Sequence, residues 1–536
     1  MTSFNRRTLL IGGAAVAAAG AFGITTSTAA ADPRPPGAGG PGPRPGDGLP
    51  AAAVRQVRRW AADTWASLVA MTDERTGLTA DNIDGPLAAP HRSGYTSPTN
   101  IGGYLWSAIV ARELGLISKP ECSSRIRSTL RTLSTMTRHE PSGMFYNWYD
   151  EATGEVLTTW PTDGSRVYPF LSSVDNGWLA AALMVVQQAD RPNAALARKL
   201  WDPMNFAVFY NPAARADLGV GLLRGGFWDG EKPDKETTAV RGNYLGSGPE
   251  VWYTGFHYDT TVSETRIASY IAIARGQVPA QHYFGTWRTF PDVGCAWSWQ
   301  EQRPIGQTRT YLGIDVFEGA YTYRGMRIVP GWGGSMFESL MPAMFVPEEE
   351  WAPRSWGVNH RLTVRAQREH GLDEAQYGYW GFSPASEPGG GYREYGVDAI
   401  GLNPDGYLSD AEKTNYDAGY DGCRAGTNPT PTYGDGVVTP HALFLAMHME
   451  PGPAYDNLVK LVDLGAYGEG GFYDAVAVRS RTVAKRYLSL DQAMIMGSIG
   501  NVIGGGVIRN AFATGDIRRQ IRPLIEIEEF GAGLQS

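Results

Sequence analysis

Six segments of the chain are apolar around most of a helical circumference, and each opens on a hydroxyl residue. They are "TSPTNIGGYLWSAIVARELG" opening at Ser97, "SSVDNGWLAAALMVVQQA" near Ser173, "VSETRIASYIAIARG" at Ser263, "GSMFESLMPAMFV" at Ser335, "VTPHALFLAMHM" at Thr439 and "LSLDQAMIMGSIGNVIGG" at Ser489. Ser and Thr are favoured N-caps, and Pro98 and Pro440 stand at first helical positions. A helix with no polar face is buried on all sides. Between these segments lie helical patterns with one charged face, over residues 51–72, 119–138, from Asn193, from Trp356 and from Pro453, with a weaker one from Pro279. The alternation of amphipathic and buried helices predicts an all-α-dominated (α/α)6 barrel: six inner helices wrapped by six outer ones. A solenoid would show a more regular repeat. In the barrel the inner helices run the same way, so their N-termini, free backbone N–H groups and positive dipole ends gather at one end. Long loops such as 382–438 are expected to wall that end, some of them folded as short hairpins.

The first residues change the compartment. Arg6 and Arg7 precede a short apolar run, and Ala29 and Ala31 offer an A-x-A cleavage pattern, so residues 1–31 read as a twin-arginine export signal rather than a membrane anchor. Residues 32–50 are dominated by Pro and Gly and are expected to be a disordered linker. Residues 51–536 then form one catalytic domain, secreted, with no membrane span. The net charge of -8 argues against nucleic acid as a partner. The three cysteines, Cys122, Cys295 and Cys423, are too few and too far apart for a disulfide framework, and at most one pair can form. No oligomeric state follows from the pattern.

Four buried segments carry a carboxylate in the first turn: Asp175, Glu264, Glu338 and Asp491. Singly, each is explained by the helix dipole, which favours an acid there by roughly 0.3–1 kcal/mol, and Ser335-x-x-Glu338 has the spacing of a capping box. Together, on inner helices, they converge on one cavity. Like charges in a cleft raise one another's pKa, and a protonated carboxyl beside an ionised one is what glycosidic acid/base chemistry requires. Tyr95, Trp106, Trp148, Trp178, Trp332, Trp380 and Tyr473 lie near the helix starts or in the loops. With Asn100, they are the candidate sugar-binding residues. The chain holds 16 Trp and 26 Tyr, enough to supply flat faces for glucose rings. No H-E-x-x-H or EF-hand spacing occurs, the acidic loop 225–236 reads as solvated, and His448 reads as structural. No metal or cofactor is expected. The G-x-S-x-G elbow is missing, and "GSIGNVIGGGV" has no strand before it.

At these residues the chain resembles the glycoamylase-like glycoside hydrolases, among them the endo-β-1,2-glucanases and the cyclisation domain of cyclic β-1,2-glucan synthases. The resemblance runs in order through "TSPTNIGGYLWSAIVARELGLI", "MFYNWYD", "SSVDNGWLAAAL", "SETRIASYIAIARGQVPAQHYF", "GWGGSMFESLMP", "YWGFSPAS" with "YREYGV", "GFYDAV" and "YLSLDQAM". It implies an (α/α)6 barrel acting on a β-linked glucan, most plausibly β-1,2-glucan. It also implies that Glu264 and Glu338 supply the acid/base and the nucleophile, that Asp491 is a further catalytic acid serving as base or substrate clamp, and that Asp175 is one at or near the reducing-end side of the cleft. Glu264 is the expected general acid. "SETR" and "SMFE" are closer to the synthase domains. "LDQA" is closer to the glucanases but carries Ala493-Met494 where they have Gly-Pro, and synthase domains tend to have His at the Asp491 position. The chain therefore sits between retaining and inverting relatives. The other readings are a polysaccharide lyase on the same kind of toroid, which would favour a basic cleft, and a non-catalytic glycan-binding protein.

Overall fold

The computed structural model describes residues 48–290, 302–402 and 432–535. Residues 1–31, expected to be an export signal, and nearly all of residues 32–50, expected to be a linker, lie outside them, together with Cys295 and Cys423. Cys122 is a buried free thiol.

The helices are α1 (Ala51–Met71), α2 (Pro98–Glu113), α3 (Lys119–Thr135), α4 (Ser173–Ala189), α5 (Ala194–Trp201), α6 (Arg266–Ala274), α7 (His282–Gly285), α8 (Met336–Leu340), α9 (Glu348–Trp351), α10 (Trp356–Glu369), α11 (Pro440–Ala446), α12 (Pro451–Asp463), α13 (Ser489–Val502), α14 (Val507–Phe512) and α15 (Gly515–Glu526). Every residue of α13 is buried, as is every residue of α2 except Arg112 and Glu113 at its end. Their lack of a polar face becomes physical burial. α2 packs between α13 and α4, α4 reaches α6, and α13 reaches α11, which reaches α8. Trp106 Nε1 donates to the Ala493 carbonyl at 2.8 Å and fastens α2 to α13. Each buried helix has a companion outside it: α1 against α13, α3 against α2, α5 against α4, α15 against α6, α10 against α8 and α12 against α11. One contiguous apolar cluster runs from Leu49 to Phe530.

Three segments are shorter as helices than their patterns suggest. Pro342 stops α8 after five residues and a 3-10 turn, Pro342–Met344, follows. α6 begins only at Arg266, so Glu264 sits in the turn before the helix rather than in its first turn. The amphipathic segment from Pro279 yields only α7, whose four residues are all buried. The place beside α6 is taken by α15, which buries Ile517, Ile521, Leu524 and Ile525, the i, i+4, i+7, i+8 stripe of a helix lying on a core. Glu528 just beyond it accepts from Tyr283 and Arg288, so the C-terminal segment is pinned to the α6–α7 side by a buried ion pair.

The walls at the helix N-termini are β-structured. A four-stranded antiparallel sheet joins Phe170–Ser172, Gly226–Asp229, Glu250–Tyr253 and Val240–Asn243 in that spatial order. Short parallel bridges, Val262↔Gly331 and Gly331↔Gly401, draw the segments before α6 and α8 together. Gly334 is held at φ +66, where a Cβ would lie 2.1 Å from the Val397 carbonyl oxygen. Left-handed backbone costs an alanine about 1–2 kcal/mol before any clash is counted. Gly334→Ala is therefore expected to destabilise the fold by more than about 2 kcal/mol in urea titration, and an unchanged midpoint would contradict this packing.

Candidate active site

Glu338 is the third residue of α8. The Ser335 hydroxyl caps the helix by accepting from the Glu338 N–H at 3.3 Å, the expected half of a capping box. The carboxyl turns toward the Gly333 N–H, which donates to Oε2 at 3.2 Å. A Cβ at Gly331 would lie 3.0 Å from that same Oε2 and 3.3 Å from the Val262 carbonyl. A glycine there lets the backbone slide between the carboxyl and the neighbouring strand. Glu338 is only 8 % exposed. Burial, aided by the negative charge of Glu264, raises its pKa to about 7 against the hydrogen bonds from Gly333 and Ser335 that oppose the shift.

Glu264 is partly exposed and accepts a hydrogen bond from Trp178 Nε1 at 2.7 Å. Glu264 and Glu338 line one cleft with about 300 Å³ of free space. Trp148, Trp160, Tyr168, Phe170, Trp228 and Trp332 also face it, with Arg166, Lys235, Glu236 and Glu394 among its polar residues. Tyr95 packs edge-on against both Trp148 and Trp160 and so supports the aromatic wall.

The other two carboxylates are buried and do not line the cleft. Asp175 is turned toward Thr99, whose Oγ1 donates to its Oδ1 at 2.6 Å. With the Asn147 amide oriented to suit both neighbours, Asn147 donates to Asp175 Oδ2 at 2.9 Å and accepts from Trp148 Nε1 at 3.1 Å. Asp175 therefore holds two cleft residues in place. Asp491, third in α13, has its Oδ2 3.5 Å from His441 Nδ1. His441, Asp474 and Asp491 bring one ligand atom each within 4.8 Å of one another, a donor set that could hold a divalent cation. Protein contacts already reach these atoms: Ser386 N–H donates to Asp474 Oδ2 at 2.6 Å and Thr439 Oγ1 is 2.8 Å from His441 Nδ1.

Several aromatic candidates are placed elsewhere. Trp106 is fully buried against Trp178 and Phe345, because its position is a full two turns inside α2, away from the cleft end. Trp380 is likewise a core residue, its carbonyl accepting from Asn457. Trp178 is buried and offers Glu264 a donor rather than offering a sugar a face. Tyr473 packs on Tyr487. Asn100 is buried and donates to Asp81 Oδ1 at 2.9 Å. His448 pairs with Glu349 beside Arg509, a structural contact as expected. The cleft residues that pattern reading did not single out include Asn147, Trp160, Trp228 and Glu394. The first and last stand inside "MFYNWYD" and "YREYGV", so the motifs already pointed to them.

The comparisons fit this geometry. A family model described as "Putative glucoamylase" matches residues 304–514, and one for a family of unknown function (DUF3131) matches residues 59–206. The chain is 23% identical to the cyclic beta-(1,2)-glucan synthase NdvB of Rhizobium meliloti (strain 1021), over 86% of this chain and 18% of that protein. It thus spans less than a fifth of that relative's length. Among solved structures, the endo-beta-1,2-glucanase from Chitinophaga pinensis superposes with a TM-score of 0.58 at 15% identity, covering 88% of this chain and 98% of the other. The endo-beta-1,2-glucanase from Talaromyces funiculosus does so with a TM-score of 0.58 at 14% identity, covering 89% and 90%. The chain shares its overall fold with these solved structures.

Proposed function

We propose that this glycoamylase-like chain is a glycoside hydrolase or transglycosylase that cleaves β-1,2-glucan, exported through the twin-arginine signal at its start. The observation that carries the reading is the convergence of Glu264 and Glu338 on one aromatic-walled cleft, with the Glu338 pKa raised to about 7. The mutual placement of the helices supports an (α/α)6 barrel with its cleft at the inner-helix N-termini. The substrate rests on what the relatives act on by name.

A carboxyl that keeps its proton near neutral pH is the one equipped to donate to a leaving glycosidic oxygen. That assigns general acid to Glu338 and leaves Glu264 as the partner carboxylate, the reverse of the order expected for Glu264. Glu264 is fixed by the Trp178 N–H. It attacks the anomeric carbon directly if the configuration is retained, or activates a water if it is inverted. Aromatic walls hold the rings by their C–H faces, and exclusion of water strengthens the electrostatic contacts inside.

Purified protein is expected to shorten β-1,2-glucan and to leave β-1,3-, β-1,4- and β-1,6-glucans intact. Product anomers followed by proton NMR in the first minutes give the stereochemistry. No product from β-1,2-glucan sinks the substrate assignment, unsaturated ultraviolet-absorbing products make the protein a lyase, and no turnover of any glucan makes it a binding protein.

A further inference from the structure

Beneath the two glutamates lies a buried arginine that touches both of their segments. Arg266, the first residue of α6, is 5 % exposed. Its Nη1 donates to the Ser263 carbonyl at 2.8 Å and to the Glu338 carbonyl at 2.8 Å, and its Nη2 donates to the Ser339 carbonyl at 2.6 Å. One planar guanidinium therefore spans from the residue before Glu264 to Glu338 itself. On the other side, Nε and Nη2 form a two-pronged pair with Glu348 at 2.7 and 2.8 Å. Tyr270 Oη donates to Glu348 Oε1 at 2.7 Å, and His360 Nε2 lies 3.0 Å from Oε2. The Trp356 ring covers the guanidinium 4.3 Å from its centroid. Above the same two segments, the Val262↔Gly331 bridge joins backbone to backbone. The turns carrying the two acids are thus fastened twice, once by backbone pairing and once by this side chain.

We propose that Arg266, anchored by Glu348, is the positioning residue that sets the separation of the Glu264 and Glu338 carboxyl groups; the proposal rests on their reading as the reacting pair. The geometry has a reason. The carbonyls of Ser263, Glu338 and Ser339 stand at or beside helix starts, where the α8 helix is only five residues long and cannot fix its own direction. Guanidinium supplies five donors in a rigid fork, which a lysine cannot reproduce. The charge is buried, so it needs its fixed partner: burial pushes the Glu348 pKa up, but the charge and hydrogen bonds of Arg266, with the His360 contact, outweigh it and keep Glu348 ionised with a pKa of about 2.

The test combines kinetics with structure. R266K is expected to lower kcat on β-1,2-glucan about 100-fold with KM within about twofold, since a misplacement near 1 Å costs that much. A crystal structure of the variant is expected to show the carboxyl separation altered by more than about 0.5 Å. In the E338Q background R266K is expected to add no further loss, because both changes act through one acid. If R266K does not fold, Y270F and E348Q weaken the same anchor and carry the same three measurements. Wild-type kcat, an unaltered carboxyl separation, or losses that add with E338Q each overturn the proposal. An altered separation in a protein whose wild type turns over no glucan leaves the clamp standing and removes the proposed function instead.

Discussion

Glu338→Gln lowers kcat on β-1,2-glucan by about 10²–10⁴-fold, the range a positioned general acid supplies, while the protein keeps its fold and binds the glucan as well as before. The Gln side chain has the same shape and still accepts from the Gly333 N–H, which donates to Oε2 in the native carboxyl. What it lacks is a proton to give. Glu264→Gln is expected to be equally inactive for the opposite reason, since its amide is neither nucleophile nor base. The double variant should be little worse than either single one, because groups that act as a unit do not lose activity additively. The native enzyme should lose kcat/KM as pH rises through about 7, where Glu338 gives up its proton, whereas any residual activity of the Gln variant should lack that limb. Full turnover by either Gln variant, measured by reducing-end release, removes these residues from the chemistry.

The sequence made the pair of acids legible for a specific reason. Each follows a hydroxyl residue at the start of an apolar run; the helix dipole or a capping box explains either acid singly, but not the recurrence of acids at the starts of several buried segments. It did not separate the acids that face the cleft from those that support it. Asp175 and Asp491 stand at equivalent positions on α4 and α13 yet are turned toward Thr99 and His441. On a helix apolar all round there is no polar face from which to read direction. The same lack placed Trp106 among the sugar binders, although only position along α2 decides that it is core. α15 was missed because its polar residues outnumber its apolar stripe, and it takes the outer place that the residues after Pro279 were expected to fill. Arg266 was visible in "SETR" as a letter, but its reach across to Ser339 and Glu348 is a property of the folded chain alone.

The second large effect is on stability, and its sign follows from the same proton. The ordinary value for Glu338 is 4.5 and burial raises it to about 7 in the folded protein. Below pH 4.5 both folded and unfolded chains hold the proton, and the contribution is fully present. Between 4.5 and 7 the unfolded chain releases it while the folded chain retains it, so the unfolded state gains. Above 7 the loss is complete, on the order of 3 kcal/mol at 1.36 kcal/mol per unit. Glu338→Gln has nothing to release. It should match the wild type near pH 4.5 and exceed it by up to about 3 kcal/mol at pH 8, read as the difference in unfolding free energy from urea titrations. Glu348 moves the other way, with a folded value of about 2 that costs stability as pH falls below 4.5, but it is present in both proteins and cancels in the difference. Parallel stability curves from pH 5 to 8 would show that Glu338 is not held protonated. A gap that opens above pH 4.5 and levels off near pH 7, where wild-type turnover falls, would show one buried proton to be both the catalytic asset and the destabilising load, as expected where a site is built against its own stability.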